Sequence, residues 1–296
     1  MTKNIWVLFS LVTILLSQST EAQLYEGQNF GRLDKTLTMD QITNKVHAGD
    51  ILIIGEVHGV PQIQAKQLEL LQALKNKGLQ LSIGFEFLNH TDQISINDYR
   101  KNLISEDDFK KVIRWGSGFD FKNYKDQILF PDGSKQELSV GLNIPNTISK
   151  QIAATGYDSL SLDQKILLPL DFTTGNINYK KRFILAAGPH LPSDKIDNYF
   201  QAQSAWDESM AYQTVQHVYQ NKSQIFVIIV GEFHVQYGGG LPDRLKQRLI
   251  QKGLNNNILT LSQIWSEGMT SADIESEIKP SPDYGQRSDF IWVINP

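Results

Sequence analysis

Two stretches, "DILIIGEVHGVPQ" (50–62) and "QIFVIIVGEFHVQYGGG" (224–240), decide the fold. Each runs through isoleucine and valine and then stops at Gly-Glu-x-His. Neither run alternates apolar with polar residues, which is the pattern of a strand buried on both faces of a parallel sheet. Helix-like segments follow both. "PQIQAKQLELLQALKNKG" (61–78) places apolar side chains near helical spacing between Pro61 and Gly78, and "LPDRLKQRLIQKG" (241–253) repeats that punctuation.

Working outward, "LQLSIGFEF" (79–87), "QELSVGLNIP" (136–145), "NNNILTLSQI" (255–264) and "DFIWVINP" (289–296) read as further strands. The third of the chain's strands so read is followed by a helical "NTISKQIAATG" with Asn146 as its N-cap. Strand, helix, strand at these lengths implies right-handed crossovers. The expected fold class is therefore α/β, a mainly parallel β-sheet flanked by helices. Two stretches interrupt the rhythm. Residues from about 91 to 135 read as successive short helices, and residues 191–223 as one long helix. Together they predict a small inserted helical subdomain.

The chain has 296 residues, 41% hydrophobic and 20% charged, enough for one globular domain with its own core. Residues 1–22 read as a secretory signal peptide: Lys3 and the amino terminus, the apolar run "IWVLFSLVTILL", then Thr20 and Ala22 at the minus-three and minus-one positions. That apolar run falls short of the roughly 20 residues a membrane helix needs. An exported protein, periplasmic or extracellular and cut near Ala22, is expected, with no transmembrane segment in the mature chain. The net charge of −4 and the lack of a basic stripe give no footprint for nucleic acid. Cysteine is absent, which excludes disulfides, thiol nucleophiles and thiolate metal sites.

In open parallel sheets, ligands bind beyond the carboxyl ends of the strands. Glu56 and His58, Glu86 of "GFEF", and Glu232 and His234 all fall there. With extended backbone, Glu56 and His58 share a face, as do Glu232 and His234, because strand side chains alternate with period two. Gly55 and Gly231 free the backbone to leave each strand. Three carboxylates crowded with two imidazoles raise one another's pKa values, so a shared rim serving acid/base chemistry or ligand binding is the reading they favour. Capping of the following helices by Glu56 and Glu232 is the structural alternative. Under a hydrolase reading, His58, His234 and Glu56 would hold a divalent metal. His190 lies in a loop from which it could reach a ligand between the sheet and the long helix. The triple glycine 238–240 forms either a plain turn or an anion-binding nest.

The ordered set "IIGEVH…Q…LLQAL", "IGFEF", the segment from Trp115 to Tyr124, "VGLNIP", "QAQSAWDESMA" and "VIIVGEFHVQYGGGLPDRL" resembles the ChaN-like haem-binding family, grouped with the Tiki, TraB and erythromycin-esterase-like proteins. The resemblance implies an α/β domain, haem binding linked to bacterial iron uptake, tyrosine ligands and a homodimer that can sandwich two haems. Tyr157, Tyr179, Tyr199 and Tyr212 are the tyrosine candidates by location. The hydrolytic relatives imply the alternative, a metal-dependent or Glu/His-assisted hydrolase. Gln64 stands where family members commonly carry a second histidine, and Glu232 adds an acid.

Overall fold

The computed structural model describes residues 22–27, 34–116, 118–188 and 191–296. The expected signal peptide, apart from Ala22, and His190 lie outside the described residues. The strands are β1 (Gln23–Glu26), β2 (Ile51–Glu56), β3 (Leu81–Asn89), β4 (Ser139–Asn143), β5 (Ile225–Gly231), β6 (Ile258–Trp265) and β7 (Phe290–Ile294). They form one sheet in the order β1-β7-β6-β2-β5-β3-β4, parallel except where β1 runs against β7. The mainly parallel sheet read from the sequence is therefore the observed one.

β5 lies between β2 and β3: Glu56 stands opposite Gly231 in register, and Phe85 opposite Ile229. All six residues of β2 and all seven of β5 are buried, because each strand has a neighbour on either side and helices on both faces. Each fully buried Ile or Leu contributes about 1.5–3 kcal/mol of transfer free energy, so this seam anchors the core.

The helices are α1 (Met39–Thr43), α2 (Pro61–Asn76), α3 (Gln93–Arg100), α4 (Glu106–Val112), α5 (Lys122–Leu129), α6 (Asn146–Thr155), α7 (Leu162–Lys165), α8 (Ile177–Ala187), α9 (Ile196–Gln220), α10 (Leu241–Lys252) and α11 (Ser271–Ile278). The cap of α6 is Pro145, so Asn146 is its first helical residue instead of its N-cap.

Right-handed crossovers decide which face each helix covers. From β2 to β3 to β4 the chain moves outward in one direction, and α2 to α5 all pack on one face, where Ile63, Leu70, Tyr99, Phe109 and Ile128 meet Leu52 and Ile54. From β4 it doubles back through β5, β6 and β7. Reversing direction with the same handedness transfers the later helices to the other face: Met210 and Val215 of α9, with Leu245 and Leu249 of α10, pack on Ile51 and Ile53. The two helical stretches that the sequence reading joined into one subdomain therefore lie on opposite sides of the sheet. Among the described residues no helix is long and apolar enough to cross a membrane.

Candidate functional site

The reversal after β4 brings the carboxyl ends of β2, β5 and β3 side by side, each ending in a charged group. At the end of β2, the Glu56 carboxylate is buried and accepts four hydrogen bonds. His58 Nδ1 and the Tyr124 hydroxyl each donate to Oε1 at 2.9 Å. Gln64 Nε2 donates to Oε2 at 3.0 Å and Gln67 Nε2 at 2.6 Å. Both glutamines share the buried face of α2 with Ile63 and Leu70. Gln64, standing where a histidine would be a potential ligand, is a donor to the carboxylate.

Because a carboxylate only accepts, His58 must donate through Nδ1, and its Nε2 is left facing Glu86 Oε2 at 3.7 Å. Glu86 continues the series. Its Oε1 lies 3.3 Å from His234 Nε2, and it accepts the Gly231 N–H at 2.5 Å. His234 Nδ1 in turn lies 2.6 Å from Asp207 Oδ1. The result is one alternating row of acids and imidazoles, Glu56–His58–Glu86–His234–Asp207.

The row sets its own protonation. Burial alone would drive a proton off His234, but Asp207 and Glu86 on its two sides push its pKa up to about 10. Burial alone would raise Glu86, yet His234 and His58 hold it at about 2. His58 is only part-buried. Burial lowers its pKa, whereas its hydrogen bond to Glu56 and the charge of Glu86 raise it, and the raising influences win. With Nδ1 fixed by Glu56 and Nε2 3.7 Å from Glu86, it is an imidazole able to accept or deliver a proton.

Glu232 does not join the row. Residues Glu232–His234 form a turn of 3-10 helix rather than extended chain. At three residues per turn, positions two apart diverge instead of sharing a face. His234 thus points to Glu86, and Glu232 to Arg287 at 3.2 Å. Burial outweighs Arg287 and pushes the Glu232 carboxyl up to about 7. The glycines before the two motifs also serve a purpose other than the one read from sequence. Neither has a positive φ. A Cβ on Gly231 would come within 2.8 Å of His58 Nε2, and one on Gly55 within 2.3 Å of Glu232 Oε2. Room for side chains explains them, not backbone freedom.

The metal reading of Glu56, His58 and His234 has no geometry to support it. His58 Nδ1 and both His234 nitrogens are spent on carboxylates, and an imidazolium has no lone pair to offer. Among the described residues no group of three or more His, Asp or Glu is arranged to hold a metal ion. The triple glycine is a turn whose Gly239 N–H is taken by Asp243 at 2.9 Å, so an internal carboxylate occupies the nest.

Two clefts open on this row and share His58 and Glu86. One, of about 530 Å³, runs along the end of α8 between Phe183, Ala186 and Ala187 on one side and Phe233, His234 and Gln203 on the other. The second, of about 320 Å³, lies toward β4 and is walled by Phe87, Trp115, Phe119 and Trp206. None of Tyr157, Tyr199 and Tyr212 lines either cleft. Tyr157 stacks on Phe172 at 4.6 Å, and Tyr212 lies under the Arg248 guanidinium. Tyr212 is nine residues along α9 from Gln203, about 14 Å at 1.5 Å per residue, which takes it away from the rim. Tyr179 is buried and donates to Asp207 Oδ2 at 2.8 Å.

Sequence reasoning missed Asp207, Gln203, Tyr124 and Arg287. The signal for the first two was present in "QAQSAWDESMA": Gln203 and Asp207, one turn apart, interrupt the small and apolar residues of a helix whose middle is buried. Tyr124 and Arg287 reach the site only through tertiary packing.

Known proteins place these observations in a class. The family model of haem-binding uptake proteins, Tiki superfamily, ChaN, matches residues 42–245, and the chain belongs to that family. Among solved structures, ChaN of Campylobacter jejuni, described with cofacial haem binding, has the same fold, with a TM-score of 0.64 at 16% identity over 92% of this chain and 96% of that one. An erythromycin esterase in its open conformation aligns with a TM-score of 0.49 at 12% identity over 92% and 97%. No curated protein matches the sequence.

Proposed function

We propose that this chain is an exported haem-binding protein serving haem or iron acquisition, with haem as cargo seated in the cleft along α8. Membership of the family supports the ligand, and the signal-peptide pattern of residues 1–22 supports export. The observation that carries the reading is the cleft itself. Its volume of about 530 Å³ falls within the range of about 300–1,000 Å³ typical of ligand sites. Phe183, Ala186, Ala187 and Phe233 offer the flat apolar walls that a porphyrin face requires. Nearby on the chain, Leu162, Ile166, Leu170, Ile177 and Leu185 are 66–93% exposed, an unusual density of bare aliphatics for a soluble surface. A second copy closing over the ligand would cover them, which is the homodimer the resemblance implies.

Hemin added to the purified protein is expected to give a saturable shift of the Soret band. Phe183→Ser removes apolar wall area worth about 1.5–3 kcal/mol and should weaken binding roughly 10- to 150-fold. Sedimentation velocity should show hemin driving monomer to dimer. A spectrum equal to the sum of free hemin and protein would end this reading.

A second reading has one observation in its favour. His58, with Nδ1 pinned by buried Glu56 and its part-exposed ring lining the cleft beside Glu86, has the arrangement of a general base for water. A Glu/His-assisted hydrolase follows, working through His58 and Glu86 without a metal clamp. His58→Ala should then cost roughly 10²–10⁴-fold in turnover of an ester or peptide substrate. Wild-type protein that turns over no member of an ester and peptide panel above background refutes it.

A further inference from the structure

The second cleft, between the ends of β3 and β4 and the side chains of Trp115 and Phe119, is not accounted for by a haem seat along α8. We propose that it binds a neutral hydroxylated ring, the chemistry of a sugar residue. The argument starts at the strand ends. The register between β3 and β4 shifts after Phe85, so that Asn89 comes to stand opposite Asn143. Such irregularities re-aim side chains at the edge of a sheet. Asn143 is 8% exposed, and its Oδ1 accepts the Ile144 N–H at 2.9 Å. Its Nδ2 has no hydrogen-bond partner among the described residues, yet Asn143 lines the cleft. An amide donor without a protein partner at the wall of a cleft is available to a ligand atom that accepts from it.

The remaining lining narrows what that can be. Trp206 also lines the cleft, and its indole N–H has no partner among the described residues. Glu86, 15% exposed and held ionised by its histidines, presents only acceptors. Phe119, 44% exposed, sits with its ring 5.4 Å from that of His58, and Trp115 is fixed edge-on to Phe87 at 5.4 Å. The occupant must therefore accept from two N–H groups, donate to a carboxylate and offer an apolar face to aromatic rings. An anion would meet Glu86, and the His58 imidazole on the same wall is already engaged by Glu56 and Glu86. A cation would leave Asn143 and Trp206 unpaired. Hydroxyl groups both donate and accept, and the C–H faces of a pyranose stack on aromatic rings, so a neutral cyclic polyol meets all three demands. The volume of about 320 Å³ sets the scale at one or two rings rather than a long chain.

The test uses the full protein and its own tryptophans. Trp115 and Trp206 line the cleft, whereas Trp265 and Trp292 lie on β6 and β7, beyond β2. Fluorescence titration with glucose, N-acetylglucosamine, maltose and trehalose should give a saturable change with at least one of them. Open-chain sorbitol should bind more weakly, and choline should not bind. Asn143→Ala and Trp206→Phe each delete one donor and should weaken binding roughly 2- to 10-fold, with saturation-transfer NMR showing contact between aromatic protons and the ring C–H groups. No saturable change with any of the four sugars in protein that melts like the native chain would overturn the proposal. So would undiminished binding by both variants, or tight binding of choline. Hemin titration of the same samples reads the α8 cleft separately, so failure here is distinguishable from failure there.

Discussion

Asp207→Asn is expected to lower the unfolding free energy by about 3–5 kcal/mol at neutral pH, since it strips one of two counter-charges from a buried imidazolium. The pH profile carries the more specific signature. His234 has its pKa raised from 6.5 to about 10 in the folded chain. Its contribution to stability is therefore complete below pH 6.5 and is lost as the pH climbs toward 10. Glu86 works in the opposite sense. Lowered from 4.5 to about 2, it contributes above pH 4.5 and loses that contribution as the pH falls toward 2. With Asp207 neutralised, the His234 pKa is raised less, and the alkaline loss should shrink. Urea midpoints measured from pH 5 to pH 10, for native and variant protein, read both effects. A variant with the native midpoint and the native alkaline slope would show that His234 is not held as a cation.

Glu208→Ala should be as costly, again about 3–5 kcal/mol, because it leaves two buried guanidinium groups without their shared partner. Glu208, 2% exposed, accepts from Arg248 Nε at 2.6 Å, Arg244 Nη1 at 3.2 Å and the Thr173 hydroxyl at 3.0 Å. Arg244 and Arg248 then hold the segment between α7 and α8, through the Thr174 carbonyl at 2.7 Å and Asp171 at 3.0 Å. The loss should accordingly be felt locally as well as globally. Hydrogen exchange at residues 171–176 should accelerate more than exchange in β2 or β5. Unchanged thermal melting together with unchanged exchange would make this network energetically silent.

Much of the fold was legible because parallel strands advertise themselves. β2, β3, β4, β5, β6 and β7 each appear as a short β-branched or apolar run stopped by glycine or a turn residue. β1 escaped notice because four residues of an edge strand carry little pattern, and α7, α8 and α11 lie in stretches of mixed polarity. What no local pattern encodes is strand order. That β5 enters between β2 and β3 follows from long-range pairing, and with it the placement of α9 opposite α2. The rim residues were legible to the extent that strand ends could be located: Glu56, His58, Glu86 and His234 were found that way. Glu232 lines the α8 cleft but stands outside the row, because the segment expected to be extended is a 3-10 turn. Asp207 was overlooked because an acid in the middle of a long helix is ordinarily solvated, and only the packing of α9 beneath His234 makes it otherwise.

The late arrival of β5 has a consequence for how the molecule comes into being. Its two flanking strands are complete by residue 89, whereas the strand that joins them begins at residue 225. During synthesis the central slot thus stays vacant for well over a hundred residues, with the edges of β2 and β3 each lacking their future partner. No amino-terminal fragment can carry the row of acids and imidazoles, however well its own helices pack. The chemistry at the rim is completed only when the final quarter of the polypeptide supplies the strand that fills the gap.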